Sequence, residues 1–422
     1  MTPRPGTVLR PTGRGIVLAV AAPLLWLAGD ITGLVAARQI AAALLLILLL
    51  GALCMAVISP GLHLRRELLD DAVPAGGTAR VRLRLAARAP ITILPLGRGV
   101  VREHLPAALG GQGDLPLGPR MDHLLAVERR GTHPLGPRSI LVRDLLGVLH
   151  LRRTETDDLQ LIGLPAVEQI SAPALRRAGI AAEAGTEAHG AAGPGEIGPL
   201  ARPYATGDDI RRVHWRASAR TGRLMTREEE PASARSAVII LDTTGRTALT
   251  PALEDRLVSH AASLLQALSQ AGWETRVLDA SGDEITRTPG RDGRSTGSPL
   301  RTEADALAAR TGLLALADTG FDDDPASGRG RDHAAGHTAY AIALGIDDRE
   351  PFAGLDLDRF AGRAARRIAL ALAPEPADPS APEPAAEPVR GRRGAWELVR
   401  GSTGHALDAL LAVTAPDHEV RR

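Results

Sequence analysis

The chain contains no lysine. All 50 of its formally basic residues are arginine, set against 49 acidic residues, and the resulting net charge of +1 does not describe a generic polyanion binder. The arginine comes with 45 glycines, 31 prolines and abundant alanine, the signature of a GC-rich genome. Arginine clusters are therefore discounted as nucleic-acid or phosphate sites, and no nucleic acid is expected as a partner. Without lysine a Gly-x-x-x-x-Gly-Lys phosphate loop is impossible, and neither a His-Glu-x-x-His helix nor a Gly-x-Ser-x-Gly elbow is present. The serine of Gly293-Arg294-Ser295-Thr296-Gly297 lies in a low-complexity loop, which cannot hold a nucleophile rigidly. The single cysteine, Cys54, lies in an apolar run and excludes both an intrachain disulfide framework and a cysteine-based zinc site. These absences favour a non-catalytic protein with no cofactor.

What is present is organised in blocks, and 422 residues exceed one ordinary core, so the chain reads as multi-domain. Ile40 to Ile58 is apolar without a charge and nearly crosses a hydrocarbon layer of roughly 30 Å. Ile16 to Gly29 carries Pro23 but extends through Ile31, leaving Asp30 at the far interface, so residues 1–60 read as a two-helix transmembrane hairpin in the bilayer. Arg4, Arg10 and Arg14 before the first helix, with Arg65 and Arg66 after the second, put the N-terminus and the body on the cytoplasmic side of a bacterial inner membrane. The same basic start, with Val35-Ala36-Ala37 as a small-residue site, also fits a secretory signal peptide; even then the second helix remains as an anchor.

Beyond Ser59 the pattern turns two-periodic. Ala79 to Leu85 alternates apolar with charged residues, and further short strands are expected at Leu124–Arg129, Ser139–Val142 and Val148–Leu151. A small β-sandwich over 61–165 follows. The alanine- and glycine-rich stretch within 166–200 reads as a flexible connector, and 201–235 holds a dense motif. From 236 to 422 strand and helix alternate. Strands are expected at Ala237–Asp242, Thr275–Leu278, Thr338–Leu344 and Ile368–Ala373, and Ala395–Val399 with the helix after it completes the domain. Helices are expected at Pro251–Ala271, Ala304–Ala317 and His405–Val413. That is the pattern of a Rossmann-type α/β domain with a parallel sheet, interrupted by disordered loops near 282–299 and 374–390.

The motif runs from Tyr204 through Gly207, Asp208, Asp209, Arg211, Val213, His214, Trp215 and Ser218 to Arg220. Gly207 permits a tight turn, and Asp208 or Asp209 can cap a helix on which Arg211, His214 or Trp215, and Ser218 share a face. An interdomain clasp accounts for the string if Trp215 is buried against the sheet and Arg211 meets Glu228, Glu229 or Glu230. Direct partner contact is the other reading, compatible with the first. His214 has no second histidine at metal-binding spacing and reads as a packed or hydrogen-bonded residue.

This string resembles the signature of the family called domain of unknown function 58, bacterial membrane proteins often encoded beside MoxR-type AAA+ ATPases. Arg129 to Pro137 and Arg143 to Val148 look like the family's sandwich motifs, and the resemblance extends over the hairpin and the α/β unit. It implies a von Willebrand factor A-like C-terminal domain and an adaptor role with a MoxR-type ATPase or its client. In von Willebrand A domains Asp-x-Ser-x-Ser after the first strand collects oxygen ligands on a hard cation. Here the corresponding residues are Asp242-Thr243-Thr244-Gly245-Arg246. Asp242 and Thr244 fit a magnesium site, with Asp347 or Asp348 as a further carboxylate, whereas Arg246 replaces the last hydroxyl and brings positive charge toward the ion. A divalent-metal-dependent hydrolase using Asp242 and a structural membrane scaffold are the alternative functions.

Overall fold

In the computed structural model the described residues are 6–58, 62–87, 99–144, 146–180, 201–204, 213, 215–227, 236–247, 249–290, 299–323, 338–362, 364–374 and 387–414. They form two compact units, Met1–Leu164 and Pro165–Arg422.

The first unit opens with β1 (Gly6–Pro11), α1 (Gly13–Thr32) and α2 (Val35–Ile58). Thr12 caps α1 by accepting from Gly15 N at 3.2 Å, and Gly33, in the left-handed region at φ 71°, ends it. At 1.5 Å per residue the two helices run about 30 and about 36 Å, and both are long and apolar enough to cross a membrane. They approach closely where Gly29 faces the next helix: a Cβ at that position would lie 3.0 Å from the Ala37 Cβ. Arg38 pairs with Asp30 at 3.5 Å beside the turn.

The strands that follow are β2 (Leu62–Leu68), β3 (Ala72–Pro74), β4 (Thr78–Ala87), β5 (Gly99–Glu103), β6 (Leu109–Gly110) and β7 (Leu115–Pro116). After them come β8 (Arg120–Val127), β9 (Gly131–Pro134), β10 (Arg138–Arg143), β11 (Leu149–Glu155) and β12 (Gln160–Leu164). They build sheets in the orders β1-β11-β10-β5-β7, β2-β4-β8-β6 and β3-β12-β9. Alternation sets the inward faces: Ala79, Val81 and Leu83 of β4 are buried, whereas Arg80 and Arg84 are exposed. Leu62, Leu64 and Leu83 meet Val101, Ile140 and Leu151 from the facing sheet in one core. Each such side chain contributes roughly 1.5–3 kcal/mol. Met55 belongs to this core, so the last turn of α2 is part of the sandwich.

Two expectations change here. The basic segment ahead of α1, anticipated only as a flank, is a strand: β1 pairs antiparallel with β11 from Gly6↔Thr154 to Pro11↔Leu149. Thr12 extends the joint, its N donating to Val148 O at 2.8 Å and its hydroxyl to Gly147 O at 2.6 Å. Gly15 is required beside it, because a Cβ there would lie 2.2 Å from the Val148 carbonyl oxygen. Arg66 is not a headgroup-facing charge either. Its side chain is fully buried and paired with Glu103 at 2.9 Å and Asp157 at 3.1 Å.

The second unit contains α3 (Ala172–Arg177), β13 (Ala201–Pro203), α4 (Trp215–Thr221), β14 (Met225–Arg227), β15 (Ser236–Leu241), α5 (Pro251–Gln270), β16 (Glu274–Leu278) and β17 (Glu284–Thr288). It continues through α6 (Pro299–Ala317), β18 (Thr338–Ile346), α7 (Leu357–Ala361), β19 (Arg366–Ala373), β20 (Val389–Arg393), β21 (Trp396–Ser402) and α8 (Leu407–Ala412). The sheet order is β17-β16-β15-β18-β19-β21-β20. The middle five strands are parallel, and β17 and β20 close the edges antiparallel. Alternate residues of β15 face opposite layers: Ile239 and Leu241 pack with Leu253, Leu257, Leu264 and Leu268 of α5, while Val238 and Ile240 pack with Phe352 and Phe360. The chain leaves β15 toward β16 and later returns on its other side as β18. The strand order therefore switches at β15, the position at which open α/β sheets place ligands, beyond the carboxyl ends of their strands.

Three stretches read as linker or loop behave otherwise where they are described. In 166–180, Ala174, Ala178 and Ile180 are buried in the α/β core, held by Trp273 Nε1 donating to Ile180 O at 3.1 Å and Tyr340 Oη to Ala178 O at 2.5 Å. The small residues that suggested a linker here serve close packing. In 282–290 and 387–393 the chain forms β17 and β20, whose polar and arginine-rich sequences suit edge strands with one open side. The remaining residues of those stretches, 181–200, 291–298 and 375–386, lie outside the described residues.

Candidate functional site

At the switch point the loop after β15 meets the loop after β18. Asp242 is the first residue past β15; its N donates to Leu344 O at 2.8 Å, which continues the sheet, and only 1% of the residue is exposed. Thr244 donates its hydroxyl to Asp242 Oδ1 at 2.5 Å. Between them, Thr243 donates to Asp323 Oδ2 at 2.5 Å and accepts from Ala280 N at 2.9 Å, pinning the turn to two neighbouring loops.

Arg246 fills the centre. Its Nη2 donates to Asp242 Oδ2 at 2.9 Å and to Ala353 O at 3.3 Å, its Nη1 to Asp348 Oδ2 at 2.7 Å, and its Nε to Thr244 Oγ1 at 3.1 Å. The surrounding backbone is built for this. Gly345 passes so near that a Cβ would lie 2.5 Å from Phe352 Cε1 and 3.1 Å from the Asp242 Cβ. Phe352, buried, adopts φ 58°, rare for a non-glycine residue, and Arg393 lies over its ring at 5.9 Å. That strain delivers the Ala353 carbonyl to the guanidinium.

Burial pushes the Asp242 carboxyl above its ordinary range, while the Thr244 hydrogen bond and the Arg246 charge pull against it. Burial raises Asp279 and Asp347 as well. The expected metal ligands Asp242 and Thr244 are thus brought together with Asp348, but the oxygens that would coordinate an ion point at a guanidinium. A divalent cation about 4 Å from that charge meets roughly 8 kcal/mol of repulsion at an effective dielectric near 20. Among the described residues no cluster of three or more His, Cys, Asp or Glu is arranged to hold a metal. The residues present do not fit magnesium.

The motif segment lies elsewhere in the same unit. Tyr204 is half-buried and its N donates to Leu224 O at 2.8 Å, extending the β13–β14 pair. Ser218 Oγ accepts from Met225 N at 2.9 Å, which ties α4 to β14. Arg220 is exposed in the last turn. Trp215, expected to be buried in a clasp, is 69% exposed at the first residue of α4, and Leu224 nearby in sequence is 48% exposed. Gly207, Asp208, Asp209, Arg211 and His214, with the carboxylates Glu228, Glu229 and Glu230, lie outside the described residues.

The family comparison falls on this unit. Residues 200–335 match the family described as Protein of unknown function DUF58. The DUF58 match covers Trp215, Ser218, Asp242, Thr244 and Arg246, and supports the family resemblance carried by the motif. No curated protein matches the chain. Among solved structures, a conjugative transposon lipoprotein from Bacteroides eggerthii is similar at 12% identity, over 22% of this chain and 97% of that one, with a TM-score of 0.15. A superoxide reductase (neelaredoxin) from Ignicoccus hospitalis is similar at 13% identity, over 25% of this chain and 85% of that one, with a TM-score of 0.15. At such TM-scores neither likeness says anything about the fold or activity of the DUF58 segment.

Two residues that complete this site are absent from the sequence reading: Ala353, whose carbonyl accepts from Arg246, and Phe352, whose backbone precedes it. The only local signal for either is a bulky residue in the loop after β18.

Proposed function

We propose that the protein is a membrane-anchored, non-catalytic adaptor of the bacterial inner membrane, whose von Willebrand A-like α/β unit docks a MoxR-type AAA+ ATPase or its client. The observation that carries the reading is the exposed Trp215. A tryptophan 69% open on a helix inside the DUF58 segment, with Leu224 also open, is the residue type that dominates protein interfaces. The two long apolar helices supply the anchor. The β1–β11 pairing supports one side for the N-terminus and the sandwich, and Arg10, Arg14 and Arg65 around the helices favour the cytoplasm as that side. A signal peptide cleaved after α1 would remove β1 from its sheet. The Asp242-centred hydrolase loses support because Arg246 holds the place an ion needs.

The test is a pull-down of the detergent-extracted full chain under nucleotide-trapping conditions. The adaptor reading expects a MoxR-type AAA+ protein with the native chain and its loss with Trp215→Ala. Failure to recover any such ATPase, or equal recovery by both chains, overturns it.

A further inference from the structure

We propose that Arg246 is an internal replacement for a divalent cation, so that the carboxylate site at the end of β15 is complete without metal and becomes a metal site when the guanidinium is removed. Three observations carry this. The oxygens that converge there, Asp242 Oδ2, Thr244 Oγ1 and Asp348 Oδ2, come from two loops and all lie within 2.7–3.1 Å of one guanidinium, the placement of a shared central cation. The cation is itself well held: its side chain is only 13% exposed, and it has a fourth acceptor in Ala353 O, presented by the Phe352 backbone. The site lies at the sheet's switch point, where open α/β sheets place ligands.

The planar fork explains why an arginine suits this task. It reaches both carboxylates and the hydroxyl at once, as a compact ammonium cannot, and it stays charged when buried. It ties the loop after β15 to the loop after β18, the mechanical task a bridging ion performs. Removing it leaves two acidic side chains and a hydroxyl facing one small space, an oxygen set suited to hard cations such as Mg2+ or Mn2+. Serine at 246 adds a further hydroxyl at the spacing Asp242, Thr244, residue 246.

The experiment measures thermal unfolding and Mn2+ binding of the full chain in detergent, with Mn2+, Mg2+ or EDTA. The native chain is expected to show no shift in Tm among the three and no bound Mn2+. Arg246→Ser is expected to melt lower in EDTA, to regain several degrees with Mn2+, and to lose that gain when combined with Asp242→Asn. Arg246→Lys keeps a charge at the site and is expected to fold and to ignore metal. Mn2+ binding by the native chain that Asp242→Asn abolishes overturns the proposal. So does an Arg246→Ser chain that gains nothing from Mn2+, or that fails to fold with Mn2+ present while Arg246→Lys folds.

Discussion

Nη2 of Arg246 lies 2.9 Å from Oδ2 of Asp242, four residues earlier in the chain, and the aspartate side chain is fully buried. Truncating one partner of such a pair strands the other charge away from water. Arg246→Ala is therefore expected to destabilise the α/β unit by about 3–5 kcal/mol. The double variant Asp242→Asn with Arg246→Met should recover a large part of that loss, since neither charge is then left alone. Denaturant unfolding of the three chains measures both effects, and equal stability of the single and double variants would refute the coupling.

Trp215→Ala separates stability from binding. With the ring mostly in solvent, the substitution should alter unfolding free energy by no more than about 0.5 kcal/mol. The same change should abolish capture of the proposed ATPase. A loss of about 3–5 kcal/mol on truncation would instead indicate a ring packed in a core.

The helix α5 shows how much the sequence alone reveals. Leu253, Leu257, Leu264 and Leu268 recur at helical spacing and all are buried, and the apolar run Ala237 to Leu241 is the central strand. Local periodicity suffices there because the helix and the strand each carry their own pattern. β1 was hidden because its partner lies far along the chain and six residues with two prolines nearby carry little pattern of their own. Trp215 misled for a related reason: residue type favours burial, but only tertiary neighbours decide it. For the site, the charge of Arg246 was visible as an intruder among oxygen ligands. That Asp348 and the Ala353 carbonyl complete its cage depends on a loop a hundred residues away.

His260 predicts an acid limit. Burial, with Arg256 adding repulsion, depresses its pKa from 6.5 to about 3, and neither ring nitrogen has a hydrogen-bond partner among the described residues. Glu168 stands 4.0 Å away and would favour the proton, but its oxygens already accept from Arg256 and Leu407 N, so burial prevails. With the folded pKa below the unfolded one, the unfolded chain takes up a proton that the folded chain refuses. Stability from this group is full above pH 6.5 and falls toward pH 3 at up to about 1.4 kcal/mol per pH unit. His260→Leu should flatten that slope in urea unfolding measured between these limits; an unchanged slope would assign the acid sensitivity elsewhere.

Removing residues 6–11 should leave both helices folded but expose β11 as an open edge. Faster hydrogen exchange at the β11 amides and a tendency to aggregate are the expected outcomes. Unchanged exchange there would mean that β1 contributes nothing to the sheet.

The joint between β1 and β11 also orders events on the ribosome. β1 emerges before the helices, yet its partner is not synthesised until both helices and most of the sandwich have followed, a delay of roughly 7–30 s at ordinary elongation rates. The β1–β11 pair therefore closes around a helical hairpin whose chain has already been made.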